Sequence, residues 1–315
     1  MSSRWRALVL AVIQATAAAS MARAQEPPRP PKSPIPDLVA GLSYISLSQE
    51  VTSANYTVDS DQPGVDDTTF WTVKIPWEQD IDVASPWGTL YVEAAFGWLQ
   101  ADDRLEADLG GEPLVVSQDW LSYGGLLGAG WTFTLPDGWR LRPSASVALS
   151  RIENDASYND LAQQVLAPYL DGVYVNWEAW AATSLLSLAL LQEFQMGPVS
   201  AHVRGRYTFA YSDVFAATDE FQRADDWSHF LAVRLDLDGP TPIQLDARTL
   251  DWGLFLGYAG FDDIEEGVLG FDQIYETGLS LSAPTLGGLP DLQLSGALVF
   301  GPDISGWSLG LGVSL

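Results

Sequence analysis

The sequence has 315 residues and a formal net charge of −26 at pH 7, because 41 aspartates and glutamates outnumber 15 lysines and arginines. This acidic balance argues against binding to nucleic acid and against peripheral attachment to anionic lipid, both of which require clustered positive charge. The chain has two histidines and no cysteine, so we expect no disulfide, no zinc or other soft-metal site and no cofactor.

The N-terminal residues have the composition of a secretory signal followed by a linker. Arg4 and Arg6 precede a short apolar run, and Ala22-Arg23-Ala24 forms a small-residue cleavage site. Because the run is too short for a transmembrane helix, we predict a cleaved signal peptide over residues 1–24, with an uncleaved anchor as the alternative. Residues 25–37 contain six prolines, which predict an extended linker.

From residue 38 onward, apolar and polar side chains alternate in twelve segments, which predicts strands with two different faces. The predicted strands cover residues 39–48, 70–77, 90–98, 121–135, 140–150, 173–194, 199–211, 231–237, 250–258, 275–282, 292–298 and 306–315. The sixth segment, 173–194, is nearly all apolar and its phase is uncertain. A strand with a β-bulge is favoured there, and a buried helix is the alternative.

The last segment has the clearest division between its faces. One face carries only apolar side chains, and glycine and serine alternate on the other. The apolar residues are Trp307, Leu309, Leu311, Val313 and Leu315. We expect this segment to be the membrane-insertion strand that closes a barrel, with its apolar face toward lipid.

The connections between the predicted strands alternate between short and long. Short turns are expected at 136–138, 196–198 and 238–241, whereas long acidic connections are expected at 49–67, 100–117, 152–172 and 212–226. Outer-membrane barrels have short periplasmic turns and long external loops. The sequence therefore predicts an all-β fold, a single antiparallel transmembrane β-barrel of twelve strands over residues 38–315. The linker at 25–37 then lies in the periplasm or threads the lumen.

Charged side chains recur on the face that the alternation assigns to the lumen. They are Lys74, Glu93, Arg140, Arg142, Arg204, Arg206, Arg234, Asp236, Asp246, Arg248 and Glu276. One interpretation is a narrow channel whose basic constriction selects small anionic solutes. The other is a charge network that pairs across strands and holds the shape of the barrel, with Arg234 placed opposite Asp246. The sequence leaves both open.

The external connections and the histidines also have more than one interpretation. The acidic loops could bind hard cations, but no EF-hand-type spacing is present, so solvated surface loops are favoured. Ser200 and His202 share one face, and His229 follows Ser228, but the sequence places no acid to orient either histidine. We therefore expect no enzyme, with a lipid hydrolase as a remote alternative.

The twelve-strand pattern, the signal and the C-terminal strand resemble the translocator β-domain of autotransporters, above all the solitary barrels that lack a passenger. Residues 301–311 (GPDISGWSLGL) carry this resemblance most specifically. It implies a location in the outer membrane of a Gram-negative bacterium. The implied partners are outer-membrane lipid, lipopolysaccharide, periplasmic chaperones and the barrel-insertion machinery. Such barrels usually end in Phe or Trp, whereas this sequence ends in Leu315.

With thirteen residues between the predicted signal and the barrel, we expect no secreted passenger. The function is therefore expected to be either the narrow channel or a structural or surface-interaction role without transport.

Overall fold

Twelve antiparallel strands close into one barrel in the computed structural model, which describes residues 51–58, 67–81, 88–109, 112–245, 248–262, 271–283 and 291–314. Each strand pairs with its neighbours in the sequence, and β1 pairs with β12 to close the barrel. The strands are β1 Val51–Val58, β2 Thr68–Ile81, β3 Thr89–Leu109, β4 Glu112–Thr134, β5 Arg140–Tyr158, β6 Trp177–Met196, β7 Val199–Ala217, β8 Asp225–Leu245, β9 Arg248–Asp262, β10 Gln273–Ala283, β11 Asp291–Phe300 and β12 Ile304–Ser314. This confirms the predicted fold class and strand number.

The two ends of the barrel differ. At the turn end, a 3₁₀ turn at Pro136–Gly138 joins β4 to β5, and Gly197-Pro198 joins β6 to β7. Gly197 has a φ of +67°, which a tight hairpin requires at its first central position and glycine adopts without strain. At the cap end, helices α1 (Asp160–Val165) and α2 (Ala167–Leu170) connect β5 to β6. Among the described helices, none has the length and apolar composition to cross a membrane.

The outward face of the barrel is apolar, as the alternation predicts. Leu127, Leu279 and Leu298 are 69%, 66% and 64% exposed. Aromatic side chains also lie on this face, and Trp71 packs edge-on against Trp307 with ring centroids 6.4 Å apart. In water this surface would be a large exposed apolar patch, whereas in a bilayer it is the face that contacts lipid.

The lumen is crossed by an apolar layer near the cap end. Its buried residues are Ala54, Tyr56, Val58, Phe70, Leu99, Ala101, Ala148, Leu185, Ala210, Phe230, Ala259, Phe261, Phe271, Ile274, Val299 and Ile304. Trp120 and Leu126 of β4 pack against them, so every strand contributes. The alternation in the sequence did not predict this layer, because it assigns mainly small, polar or charged side chains to the inward face.

Part of the first predicted loop is a strand. Residues 39–48 lie outside the described residues, and β1 is Val51–Val58, inside the predicted loop 49–67. In β1 the inward side chains Ala54, Tyr56 and Val58 are buried apolar groups of the lumen layer. The outward side chains, such as Asn55, are polar. This pattern is the reverse of a lipid-facing strand, which explains why the segment was taken for a loop.

The other long connections are also largely strand. The predicted loop 100–117 is the continuation of β3 and β4, which are 21 and 23 residues long, about twice the 9–11 residues that cross a bilayer. Likewise β5 continues to Tyr158 and β7 to Ala217. Inward side chains such as Leu105 and Leu114 are buried in these extensions, and the outward side chains are mostly polar or acidic. The acidic composition therefore indicated exposure to water correctly, but not irregular structure.

Two further expectations about the strands are resolved. The sixth segment is the strand β6, with a register shift at Trp180/Ala181, so the predicted β-bulge is confirmed and the buried helix is wrong. The predicted turn at 238–241 is also wrong, because β8 continues to Leu245. Gly239 and Pro240 instead pair with β9 beside a register shift. Arg234 consequently lies opposite Gly257 and not opposite Asp246.

Candidate functional site in the lumen

The inward side chains of β5 show the order of the layers along the barrel axis. From the turn end they include Arg142, Ser144, Ser146, Ala148 and Ile152, of which Ala148 belongs to the apolar layer. The two serines lie in a polar layer on the turn-end side of the apolar layer, and Arg142 lies still closer to the turn end. The charged residues of the lumen divide accordingly into a central charge cluster and an arginine cluster.

The central charge cluster, which consists of Lys74, Glu93, Arg206 and Glu276, joins strands across the lumen. An Arg206 Nη2 lies 3.1 Å from a Glu93 carboxylate oxygen, although β3 and β7 are not neighbours. Lys74 interacts electrostatically with the other three members. The cluster contains two bases and two acids, so its formal charge is balanced.

Two serine hydroxyls donate further hydrogen bonds to the two glutamates of the cluster. Ser146 Oγ donates to Glu93, and Ser308 Oγ donates to Glu276 at 3.0 Å. Glu93 and Glu276 are only 8% and 9% exposed. A buried carboxylate is stable only when it is paired and hydrogen-bonded, and both conditions are met here. The central charge cluster therefore contains ion pairs and hydrogen bonds between strands, as expected for a charge network that holds the shape of the barrel.

The arginine cluster, which consists of Arg142, Arg204 and Arg234, lies nearer the turn end. Arg142 Nη2 lies 2.6 Å from Glu78 Oε1, and Arg234 Nε donates to Asp236 Oδ1 at 2.8 Å. Two guanidinium groups also lie over aromatic rings. Arg142 is 3.7 Å from the ring centroid of Tyr91, and Arg234 is 4.2 Å from that of Phe255.

The remaining predicted site residues are not part of these clusters. Arg140 is exposed at the turn end. Asp246, Leu315 and the side chains of Arg248 and Val313 lie outside what the structure describes, as do the predicted signal and linker at 1–37. On the insertion strand, Trp307, Leu309 and Leu311 point outward and are 41%, 55% and 43% exposed.

A compact external cap, formed by residues 159–176 over the extensions of β3 and β4, covers the other end. Leu105, Leu114, Leu166, Leu170 and Val175 form its buried core. Its polar groups are fixed by a shared acceptor, because Tyr158 Oη and Asn176 Nδ2 both donate to Asp171 Oδ1 at 2.6 Å. Burial, and secondarily this hydrogen bond, raises the pKa of Tyr158 well above its usual range.

Replacing Asn159 with alanine should loosen the external cap without affecting the membrane-embedded barrel. The Asn159 side chain accepts from Ala162 N at the start of α1 and donates to Pro113 O at 2.7 Å. Loss of a helix N-cap costs about 1 kcal/mol, and the bond to the β3–β4 hairpin is lost with it. Limited proteolysis should therefore cleave residues 159–176 faster in Asn159→Ala than in Gln163→Ala, whose side chain is exposed on α1. Equal cleavage rates would contradict this role.

The histidines have partners that the sequence did not reveal. His202 Nε2 lies 3.8 Å from a carboxylate oxygen of Asp238, and Ser200 Oγ accepts a hydrogen bond from Gln195 Nε2 at 2.9 Å. His229 points outward, where its Nδ1 is 2.9 Å from Tyr207 Oη. The two histidines thus lie on opposite faces of the barrel wall.

Sequence reasoning found the charged side chains but missed most of their partners. The contacts of Tyr91, Ser144, Ser146 and Glu78 join strands that are not adjacent in the barrel. Phe255 contacts Arg234 between the neighbouring strands β8 and β9. One signal was available, since Tyr91 and Phe255 are aromatic residues on the face assigned to the lumen. An inward aromatic side chain amid glycine and serine points to a specific contact.

Several solved outer-membrane structures are similar to this chain in fold. The beta domain of the Bordetella autotransporter BrkA is 16% identical, with a TM-score of 0.45 over 84% of this chain and 98% of that one. The translocator domain of NalP from Neisseria meningitidis is 12% identical, with a TM-score of 0.48 over 89% and 92%. The transport unit of AIDA-I from Escherichia coli is 9% identical, with a TM-score of 0.47 over 90% and 99%.

The sequence itself places the chain in a family. No curated protein matches it. Residues 48–249, more than half of the chain, match the family described as the solitary outer membrane autotransporter beta-barrel domain. The match confirms the predicted family, although it rests on these residues rather than on the C-terminal motif at 301–311. This chain therefore belongs to the solitary outer-membrane autotransporter β-barrel family, whose members lie in the outer membrane of Gram-negative bacteria.

Proposed function

We propose that this outer-membrane barrel is a structural or surface-interaction protein that does not conduct solutes. The observation that carries the proposal is the apolar layer across the lumen. We place the turn end of the barrel in the periplasm and the external cap outside the cell. The outward face of the barrel would then contact outer-membrane lipid and lipopolysaccharide, after insertion by periplasmic chaperones and the barrel-insertion machinery.

The apolar layer opposes the passage of ions because it offers them no compensation for lost hydration. Phe230 and Phe261 are 3% and 6% exposed, and their rings pack edge-on with centroids 5.9 Å apart. Phe271 packs on Phe261 with centroids 5.7 Å apart. Moving a charge into such surroundings is costly, and hydrophobic constrictions close channels by excluding water.

The second candidate function is the narrow channel for small anionic solutes, which the inward arginines favour. The central charge cluster argues against anion selection at mid-height, because Arg206 is paired with Glu93. An anion-selective constriction needs an excess of positive charge, and here acids and bases are balanced.

A third role, as an outer-membrane lipid hydrolase, is not part of the proposal. The pairs Ser200–Gln195 and His202–Asp238 provide only a partial catalytic geometry. Lipid turnover by the purified barrel that His202→Ala abolishes would contradict a non-enzymatic function.

Planar-bilayer recordings test the proposal. The purified protein should give no conductance steps, whereas the double variant Phe230→Ala/Phe261→Ala should conduct, because removing both rings opens a path through the apolar layer. Phe96→Ala is the matched control, since Phe96 is 46% exposed on the outward face, and it should remain silent. Anion-selective steps in the unmodified protein that Arg206→Ala weakens would favour the channel instead.

The surface-interaction part of the proposal concerns the external cap and requires its own test. Cells carrying a barrel in which residues 160–170 are replaced by a short glycine-serine linker should keep the assembled barrel but lose a cell-surface phenotype, such as adhesion or resistance to bile salts. If every such phenotype persists with normal barrel levels, the function is structural only.

A further inference from the structure

Three inward arginines, Arg142, Arg204 and Arg234, are clustered in the periplasm-facing part of the lumen. Arg204 and Arg234 are direct cross-strand partners on β7 and β8, and both point inward. Like charges in this position repel. Arg204 also interacts electrostatically with Arg142, and with the carboxylates of Glu78 and Asp236. Asp80 lies 3.8 Å from Arg142 and Asp238 interacts electrostatically with Arg234, so carboxylates surround the cluster without removing the direct contact between like charges on β7 and β8.

The neighbouring carboxylates do not satisfy all of the guanidinium N–H groups. Arg142 is paired with Glu78, and Arg234 donates its Nε proton to Asp236. Arg142 Nε and Arg234 Nη1 are nevertheless buried and have no hydrogen-bond acceptor within the part of the chain that the structure describes. Buried donors without acceptors are rare in proteins because each one costs free energy.

The guanidinium groups are held in place before any ligand arrives. Tyr91 and Phe255 support the planes of Arg142 and Arg234, and both arginine side chains are 11% exposed. Cation–π contacts of this kind hold the planar guanidinium group in one orientation. Its N–H groups can then bind a planar oxyanion through two parallel hydrogen bonds. Little side-chain entropy would then be lost on binding.

The cluster is accessible from the periplasmic end. Side-chain exposure rises toward that end, from 11% at Arg142 to 34% at Glu78 and 64% at Asp80. His202 and Asp238, closer still to the turn end, are 42% and 39% exposed. A small solute can therefore reach the exposed edge of the arginine cluster without crossing the apolar layer.

We propose that Arg142, Arg204 and Arg234 form a binding site for a small oxyanion, a carboxylate or a phosphate, that enters from the periplasm. The anion accepts hydrogen bonds from Arg142 Nε and Arg234 Nη1 and offsets the repulsion between Arg204 and Arg234. Glu78 and Asp236 hold the arginines in position and limit the affinity. The site does not require transport, so it holds whether or not the barrel conducts.

Isothermal titration of the purified barrel in a neutral detergent tests the site, with inorganic phosphate and succinate as probes against chloride at matched ionic strength. We expect saturable binding of at least one probe, at one site per barrel. Arg234→Lys keeps the charge but removes the planar fork and Nη1, so affinity should fall about tenfold or more, the effect of losing one charge-assisted hydrogen bond.

Arg151→Gln is the control, because Arg151 lies on the outward face and pairs with Glu178; it should bind as the unmodified barrel does. Binding of only phosphate or only succinate supports the site and identifies its ligand class. Absence of saturable binding for both probes overturns the proposal, as does an equal loss in Arg151→Gln. Arg142→Gln is a second test if Arg234→Lys does not assemble, and assembly is checked by heat-modifiable migration in gels.

Discussion

Replacing Arg206 with alanine should destabilise the barrel by about 3 kcal/mol, the lower end of the range for removing one partner of a buried ion pair. The loss is large because Glu93 would keep its charge while it is 8% exposed. Arg206 also donates to Ser144 Oγ at 3.3 Å, so a second contact across the lumen disappears. Urea unfolding from lipid vesicles, followed by tryptophan fluorescence, measures this change in the free energy of unfolding.

Two comparisons isolate the Glu93–Arg206 pair. The double variant Glu93→Ala/Arg206→Ala should lose less stability than the sum of the single variants, because it leaves no unpaired buried charge. Arg151→Ala, which removes an ion-paired arginine from the outward face, should have a clearly smaller effect than Arg206→Ala. If the single variants are additive, the central charge cluster does not hold the strands together.

Introducing arginine at Leu127 should destabilise the membrane-inserted barrel by about 2–4 kcal/mol, the cost of an arginine on the lipid face at the middle of the bilayer. Leu127 is 69% exposed on the outward face of β4. It lies between two outward aromatic residues, Trp131 and Tyr123, which are typical of the two membrane interfaces. The same unfolding measurement applies, with the fraction of folded protein in vesicles as a second measurement.

Ser117→Arg is the matched control on the same strand and the same face. Ser117 lies beyond the outward aspartate Asp119, in the part of β4 that extends past the membrane. Arginine there should change the free energy of unfolding by no more than about 1 kcal/mol. Equal losses at both positions would mean that the membrane boundary on β4 lies elsewhere.

The agreement between sequence and structure was best where a strand faces lipid. β12 and β3 have apolar outward side chains, and their alternation was interpreted correctly in every residue that the structure describes. Predictions failed where the same strands leave the membrane, as at β1 and the β3–β4 hairpin. There the outward face is polar and the inward face is apolar, so a rule based on lipid-facing strands interprets the segment as a loop.

For the lumen, the alternation assigned the faces of Lys74, Glu93, Arg206 and Glu276 correctly, but it could not assign their partners. Contacts such as Arg206 to Glu93 connect strands four positions apart in the barrel. They depend on barrel diameter and strand tilt, and neither quantity is encoded in a local pattern. The expected pair of Arg234 and Asp246 failed for a related reason, since Gly239-Pro240 shifts the register within β8 rather than ending it.

The sequence by itself determined the architecture of this protein. A period of two in polarity, repeated in twelve segments with apolar residues outward, is compatible with little other than a closed barrel in a membrane, because the outward side chains need lipid and the strand edges need partners. Only the tertiary structure decided what fills the barrel. Closure of the sheet brings apolar side chains from all twelve strands into one layer and pairs acids with bases across the lumen. Among the residues that the structure describes, it also leaves two buried arginine donors without an acceptor near the turn end.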